Sequence, residues 1–281
     1  MKFYVYDVKM QNSIEVRYLG HEIEKCLNQL NKVSDRLMEL NKEESGDFDF
    51  ISQWQYDKSN ILFCSLVRLK KGIVSSITEE DYSKDSIPLD KIMTNTESAS
   101  SFKEAIFFAI YKNCIIISSH TPKAVRNHLL WLLEKCANNY RFEIDKRINN
   151  EKTIEIGKVK AITLGENYLN QKSTYAERQT LKFLDIKTQL LQCFIDVDTI
   201  KEYGDLISAS LILKFNNRKL KSADAAKLAL NLVDDEAVKL KSTDGKTYTG
   251  ADLREVENHE VERTSEGAYS IIDVWTILKD M

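Results

Sequence analysis

The sequence predicts an α+β protein in two parts, each a mainly antiparallel sheet with helices packed on one face. Short runs rich in Val, Ile, Phe and Tyr recur between turn residues, as strands do. Two of these runs fold back on themselves across turns of a few residues, which is antiparallel pairing. Longer stretches with apolar residues three and four apart supply the helices. A chain of 281 residues suggests two domains.

The opening "KFYVYDVKM" alternates and reads as a strand. Val16, Leu19, Ile23, Cys26, Leu30, Val33, Leu37 and Leu40 then step by three and four. That seam predicts one helix of about 25 residues, roughly 37 Å long. It reads as a helix lying across its own sheet, with a helix pair between two chains as the alternative. "FDFISQWQYD" and "NILFCSLVRLK" read as strands joined near Asp57-Lys58-Ser59. Residues 72–101, with Pro88 and a Ser/Thr-rich end, read as a surface excursion with one short helix.

"EAIFFAIYKNCIIISSH" predicts a hairpin turning at Lys112-Asn113, its arms apolar enough for the middle of a sheet. "HTPKAVRNHLLWLLEKC" follows as a helix capped by Thr121, with Pro122 in its first turn. Val125, Leu129, Leu132 and Cys136 form its apolar face.

A domain boundary is expected near Asn138-Asn139, giving parts 1–138 and 139–281. In the second part "YRFEIDKRI" and "KTIEIGKVKAITLG" read as strands, and "TYAERQTLKFLDIKTQLLQCFI" as mostly helix. "DLISASLILKF" reads as a strand and residues 223–233 as a helix. "VKLKSTDGKTYTG" reads as a hairpin about Asp244-Gly245. "GAYSIIDVWTILKD" closes the chain as an amphipathic helix, with Ala268, Ile271, Ile272, Trp275 and Leu278 on one side.

Composition is that of an ordinary globular protein, 43% hydrophobic and 30% charged. No apolar run reaches the length of a membrane span, and the N-terminus lacks a secretory apolar region. The expected location is the cytoplasm. Cys26, Cys64, Cys114, Cys136 and Cys193 show no CxxC spacing and sit among apolar neighbours, as buried free thiols do.

Walker A, GxGxxG, GxSxG and HExxH patterns are absent, so no cofactor or metal is expected. His120, His128 and His259 read as a helix-edge pair and a surface-strand residue. One nuclease-like pattern exists, Asp145 upstream of Asp185-x-Lys187. Its spacing is loose, and "LDIKTQLL" suits a helix better than a strand.

Net charge is −3, but it is unevenly spread. Residues 141–221 carry 15 Lys/Arg against 11 Asp/Glu, while residues 222–281 carry 7 against 13. Within the basic middle, "LILKFNNRKLKSADAAKLALNLV" reads as a strand, a basic knot and a helix. Lys214, Arg218, Lys219 and Lys221 would face phosphates there, near backbone N–H groups at a helix start. Lys158 and Lys160 share a strand face by the two-residue period, and Lys123 and Arg126 share a helix face. No aromatics interleave with these cations, which argues against a single-strand stacking platform. Few side chains here suit base edges, so any contact is to the backbone of double-stranded DNA, without sequence preference. A solvated basic corner is the plainer alternative.

The order of elements resembles the RexA-like phage-exclusion proteins. The likeness lies in "FYVYDVKM" with its following helix, in "AIFFAIYKNCIIISSHTPKAVRNHL", and in "LILKFNNRKLKSADAAKLAL" before a hairpin and C-terminal helix. The resemblance implies a dimeric cytoplasmic protein that binds double-stranded DNA without sequence specificity, in defence against phage beside a membrane-protein partner. It carries the DNA role to Lys214, Arg218, Lys219 and Lys221. The acidic total implies weak, salt-sensitive binding. A protein-interaction or dimerisation module, using the acidic 222–281 segment or the last helix, is the alternative function.

Overall fold

A computed structural model describes residues 1–11, 19–40, 47–70, 77–93, 102–138, 140–164, 211–214, 220–221, 238–264 and 268–281. These form two compact units, one of Met1–Arg147 with Glu255–Met281, the other of Ile148–Arg254. The division falls later than the 138/139 boundary expected from sequence, and the C-terminal residues return to the first unit. The α+β class with antiparallel sheets stands.

The first unit is built on an eight-stranded sheet. Its strands are β1 (Lys2–Met10), β2 (Met38–Leu40), β3 (Asp47–Tyr56), β4 (Leu62–Leu69), β5 (Phe102–Tyr111), β6 (Cys114–Ile117), β7 (Phe142–Lys146) and β13 (Val256–Asn258). The order is β13-β1-β6-β5-β4-β3-β2, with β7 also on β1. The expected apolar hairpin is β5–β6, in the middle of the sheet, and Lys112 takes φ +48° at its turn.

Every strand pairing is antiparallel, and both faces are buried. Leu62, Cys64, Leu66, Phe108, Ile110, Ile115 and Ile117 meet α1 (Leu19–Gln29) and α4 (Lys123–Lys135). Phe63, Val67, Phe107, Ala109 and Ile116 face the other way. That second face is covered by Ile77, Ile87, Leu89 and Ile92, from and around α2 (Glu79–Tyr82) and α3 (Leu89–Met93), and by α7 (Ile271–Asp280). Helices therefore cover both faces of this sheet, one more than the sequence suggested. Two-sided burial is why the central arms are apolar on both faces over Ala105–Ile110 and Cys114–Ile117.

Several local readings change. The helix expected over 16–40 ends at Gln29, followed by a 3₁₀ turn at Val33–Arg36 and then β2. The seam breaks because its residues serve different layers: Ile23, Cys26 and Leu27 face α4, whereas Val33 and Leu37 join the opposite core. The described parts of the 72–101 excursion hold two short helices whose apolar residues are core, not surface. Pro122 rather than Thr121 occupies the cap of α4, with no side-chain capping bond. On α7, Val274 and Leu278 face the core while Ile272 is 77% exposed.

Cys26, Cys64 and Cys114 are buried, Cys136 is half-buried, and all four are unbridged, while Cys193 lies outside the described residues. Burial pushes the Cys26 thiol up to about 12 and Cys64 higher still, the opposite of a reactive thiolate.

Unit two enters and leaves through neighbouring backbone. Val5 accepts from Arg147 N–H at 3.1 Å and donates to the Glu255 carbonyl at 3.1 Å. Glu255 also donates to the Arg147 carbonyl at 3.1 Å. The unit contains α5 (Asn150–Ile156), β8 (Lys158–Leu164), β9 (Leu211–Lys214), β10 (Leu220–Lys221), β11 (Val238–Ser242), β12 (Thr247–Thr249) and α6 (Gly250–Leu253). "KTIEIG" is thus helix, not strand. The Asn149 side chain accepts from Lys152 N–H at 2.9 Å to cap it, and Gly157 at φ +69° ends it. The β11–β12 hairpin turns at Asp244-Gly245 as expected, with Gly245 at φ +97°.

Candidate nucleic-acid interface

Strand β8 is central in its sheet, with β11 along one edge and β9 and β10 along the other. Lys214 stands opposite Ala161, and Leu220 opposite Val159. Lys214 and Leu220 are therefore anchored on β8 with only Lys160 between their partners. Leu220 and Lys221 add a short strand on β8 after the basic knot. Arg218 and Lys219 lie outside the described residues, as does the helix expected over 223–233.

The register adds a second feature. Lys221 is directly opposite Lys158, and Lys160 follows two positions along β8. Adjacent strands are about 4.8 Å apart, and like charges directly opposed destabilise a sheet. On the other edge Lys241 is opposite Ala161 and Lys239 opposite Thr163, so Lys214 and Lys241 flank Ala161 in one cross-strand row. Lys158, Lys160, Lys239 and Lys241 are exposed and form no ion pair among the described residues. Lys152, by contrast, is paired with Glu155 at 2.8 Å.

The pairing therefore brings together the backbone positions of Lys158, Lys160, Lys214 and Lys221. Lys123 and Arg126 belong to α4 of the first unit and have no part in this sheet. Lys239 and Lys241 were missed. Their two-residue period was visible, but they sit in a segment whose total charge is acidic.

Other expected chemistry is quiet. Asp145 is ion-paired with Lys9 across β1 and β7, and Asp185 and Lys187 lie outside the described residues. Among the described residues no cluster of His, Cys, Asp and Glu is placed to hold a metal. His259 is partly exposed and contacts Glu257 at 2.9 Å, as a surface residue does.

Two features of the first unit had no signal in the sequence. Arg36 and His128 are fully buried. Arg36 Nη2 donates to the Asp85 carbonyl, while Nε, Nη1 and both His128 ring nitrogens have no partner among the described residues. Burial, with the Arg36 charge second, pushes His128 down to about 3, and burial lowers Arg36 to about 10.

Nearby, Leu27, Asn28, Asn31, Gln53, Trp54, Asp85, Ser86 and Trp275 line a cleft of about 310 Å³. Its walls come from four separate stretches of chain, so no local motif announces it. No family model, curated protein or solved structure matches this chain.

Proposed function

We propose that this chain is a non-enzymatic protein that grips the backbone of double-stranded DNA without reading its sequence, in phage exclusion or a similar antiviral defence. The observation that carries the DNA reading is the register that sets Lys221 opposite Lys158, with Lys160 beside it and Lys214 opposite the next position along β8, Ala161. The register sets these lysines on neighbouring strand positions, Lys158 and Lys160 form no ion pair among the described residues, and a phosphate backbone relieves the repulsion. The defence setting, a dimeric state and a membrane-protein partner rest on the family resemblance drawn above.

The test is binding of the full chain to random-sequence duplex DNA at two salt concentrations. Four phosphate contacts give a log–log salt slope near −3.6, so affinity falls about a hundredfold between 50 and 200 mM salt. Changing Lys158 and Lys160 to Glu weakens binding and flattens the slope by about 2. The combined Arg218, Lys219 and Lys221 to Glu variant does the same from the other strand line. Binding by these variants equal to that of the parent removes the assigned site. No binding by the parent at low salt removes the reading itself.

A further inference from the structure

We propose that the cleft of the first unit binds a single nucleobase or nucleoside carrying an exocyclic amine. This rests on residues other than those of the DNA reading.

A planar heterocycle is recognised by its faces and by its edges. Two indoles, Trp54 from β3 and Trp275 from α7, line the cleft. Trp275 is fixed by stacking on Phe63, with ring centroids 5.9 Å apart and planes 27° apart. Its indole N–H is buried and has no acceptor among the described residues.

Asn28, Asn31 and Gln53 bring three carboxamides to the same cleft, and none of these side chains has a hydrogen-bond partner among the described residues. Each carboxamide offers a donor and an acceptor in one plane, the pairing that reads a base edge.

Asp85 gives the selectivity. Its backbone is held in place, because Arg36 donates to its carbonyl from the interior. Its carboxylate is exposed, forms no ion pair among the described residues, and accepts from the Ser86 hydroxyl at 3.5 Å with one oxygen. An ionised carboxylate only accepts, so it favours an N–H donor such as the amine of adenine, cytosine or guanine. Among the described residues no Lys, Arg or His lines the cleft, so a phosphate finds no cationic partner among them. The volume, about 310 Å³, is at the small end of ligand sites and suits one base rather than an oligomer.

The experiment titrates the full chain with adenosine, cytidine, guanosine and uridine, following tryptophan fluorescence in a Trp131→Phe background. That background leaves Trp54 and Trp275 as the reporters. Calorimetry gives the affinities, and thermal melts confirm that each variant folds. The amine-bearing nucleosides quench saturably, and uridine binds about tenfold weaker or worse. Asn31→Ala lowers affinity by about tenfold or more, and Asp85→Asn abolishes the preference over uridine. Adenosine monophosphate binds no tighter than adenosine.

Absence of saturable binding by any nucleoside overturns the proposal. So does binding unchanged in both variants, or a response to methyl glycosides in place of nucleosides. Because the DNA test alters only lysines and an arginine of the other unit, each reading can fail without the other.

Discussion

Lowering the pH from 7 to 5 destabilises the first unit through one side chain, His128. Its imidazole is fully buried, with no hydrogen-bond partner for either nitrogen among the described residues. Burial and the neighbouring Arg36 push it down to about 3, from an ordinary value near 6.5. The unfolded chain therefore binds a proton that the folded chain refuses. Stability from this group is fully present above the unfolded value, falls as pH drops through it, and levels off below about 3.

At pH 5 the unfolded imidazole is almost wholly protonated and the folded one almost wholly neutral. With 1.36 kcal/mol per pKa unit, the loss between pH 7 and 5 is about 2 kcal/mol. The assay is urea unfolding at both pH values. The protein's tryptophans, Trp54, Trp131 and Trp275, all lie in the first unit, so their fluorescence reports that unit. His128→Leu cannot charge and leaves no unpaired nitrogen, so it shows a loss smaller by about 2 kcal/mol over the same interval. Arg36→Met raises the His128 value and shrinks the loss in the same direction. Equal pH dependence in the parent and His128→Leu refutes the reasoning.

Two further outcomes test the architecture. Replacing residues 148–254 by a short glycine linker between Arg147 and Glu255 leaves a first unit that unfolds cooperatively, because those two residues already share a backbone hydrogen bond of 3.1 Å. A product without a cooperative fluorescence transition contradicts this. Within the other unit, Gly157→Ala forces an L-residue to φ +69° and costs about 1–2 kcal/mol, while Asn149→Ala removes a cap worth about 1 kcal/mol. Denaturant midpoints unchanged in both variants count against α5 as a capped, glycine-terminated helix.

The strands of the first unit were legible because β5, β6 and their neighbours combine β-branched runs with unmistakable turns. The long helix was misread for a physical reason. Spacing of three and four records that Val33 and Leu37 are buried, but not on which side of a sheet, and here they cross to the far face. "KTIEIG" misled because Thr153 and Ile156, buried on one side of a short helix, stand among residues that also alternate. The basic cluster was half legible. Lys158 and Lys160 announce a shared face, but their meeting with Lys221 depends on pairing between strands some sixty residues apart in sequence. The cleft was not legible at all, since Asn28, Gln53, Asp85 and Trp275 are joined only by the fold.

The wall of that cleft also gives the buried cation a purpose. An unpaired guanidinium in an interior costs several kcal/mol, and one carbonyl is a poor counterweight. Yet the segment around Asp85 is tied at three points. Val33 N–H donates to the Lys84 carbonyl at 2.9 Å, Arg36 to the Asp85 carbonyl, and Ile87 N–H to the Ser52 carbonyl at 3.0 Å. Two of these ties come from the 3₁₀ turn and one from β3, so the loop is held from both of the elements it bridges. A loop held for stability alone would not need a desolvated charge, because a neutral donor would serve at lower cost. What the arrangement gains is an immobile backbone beneath an exposed carboxylate that forms no ion pair among the described residues. The lysines of β8 follow the same logic with the sign reversed: the ladder fixes the backbone, and the exposed Lys158 and Lys160 form no ion pair among the described residues. In both places the cost is borne where an outside partner of defined chemistry would cancel it.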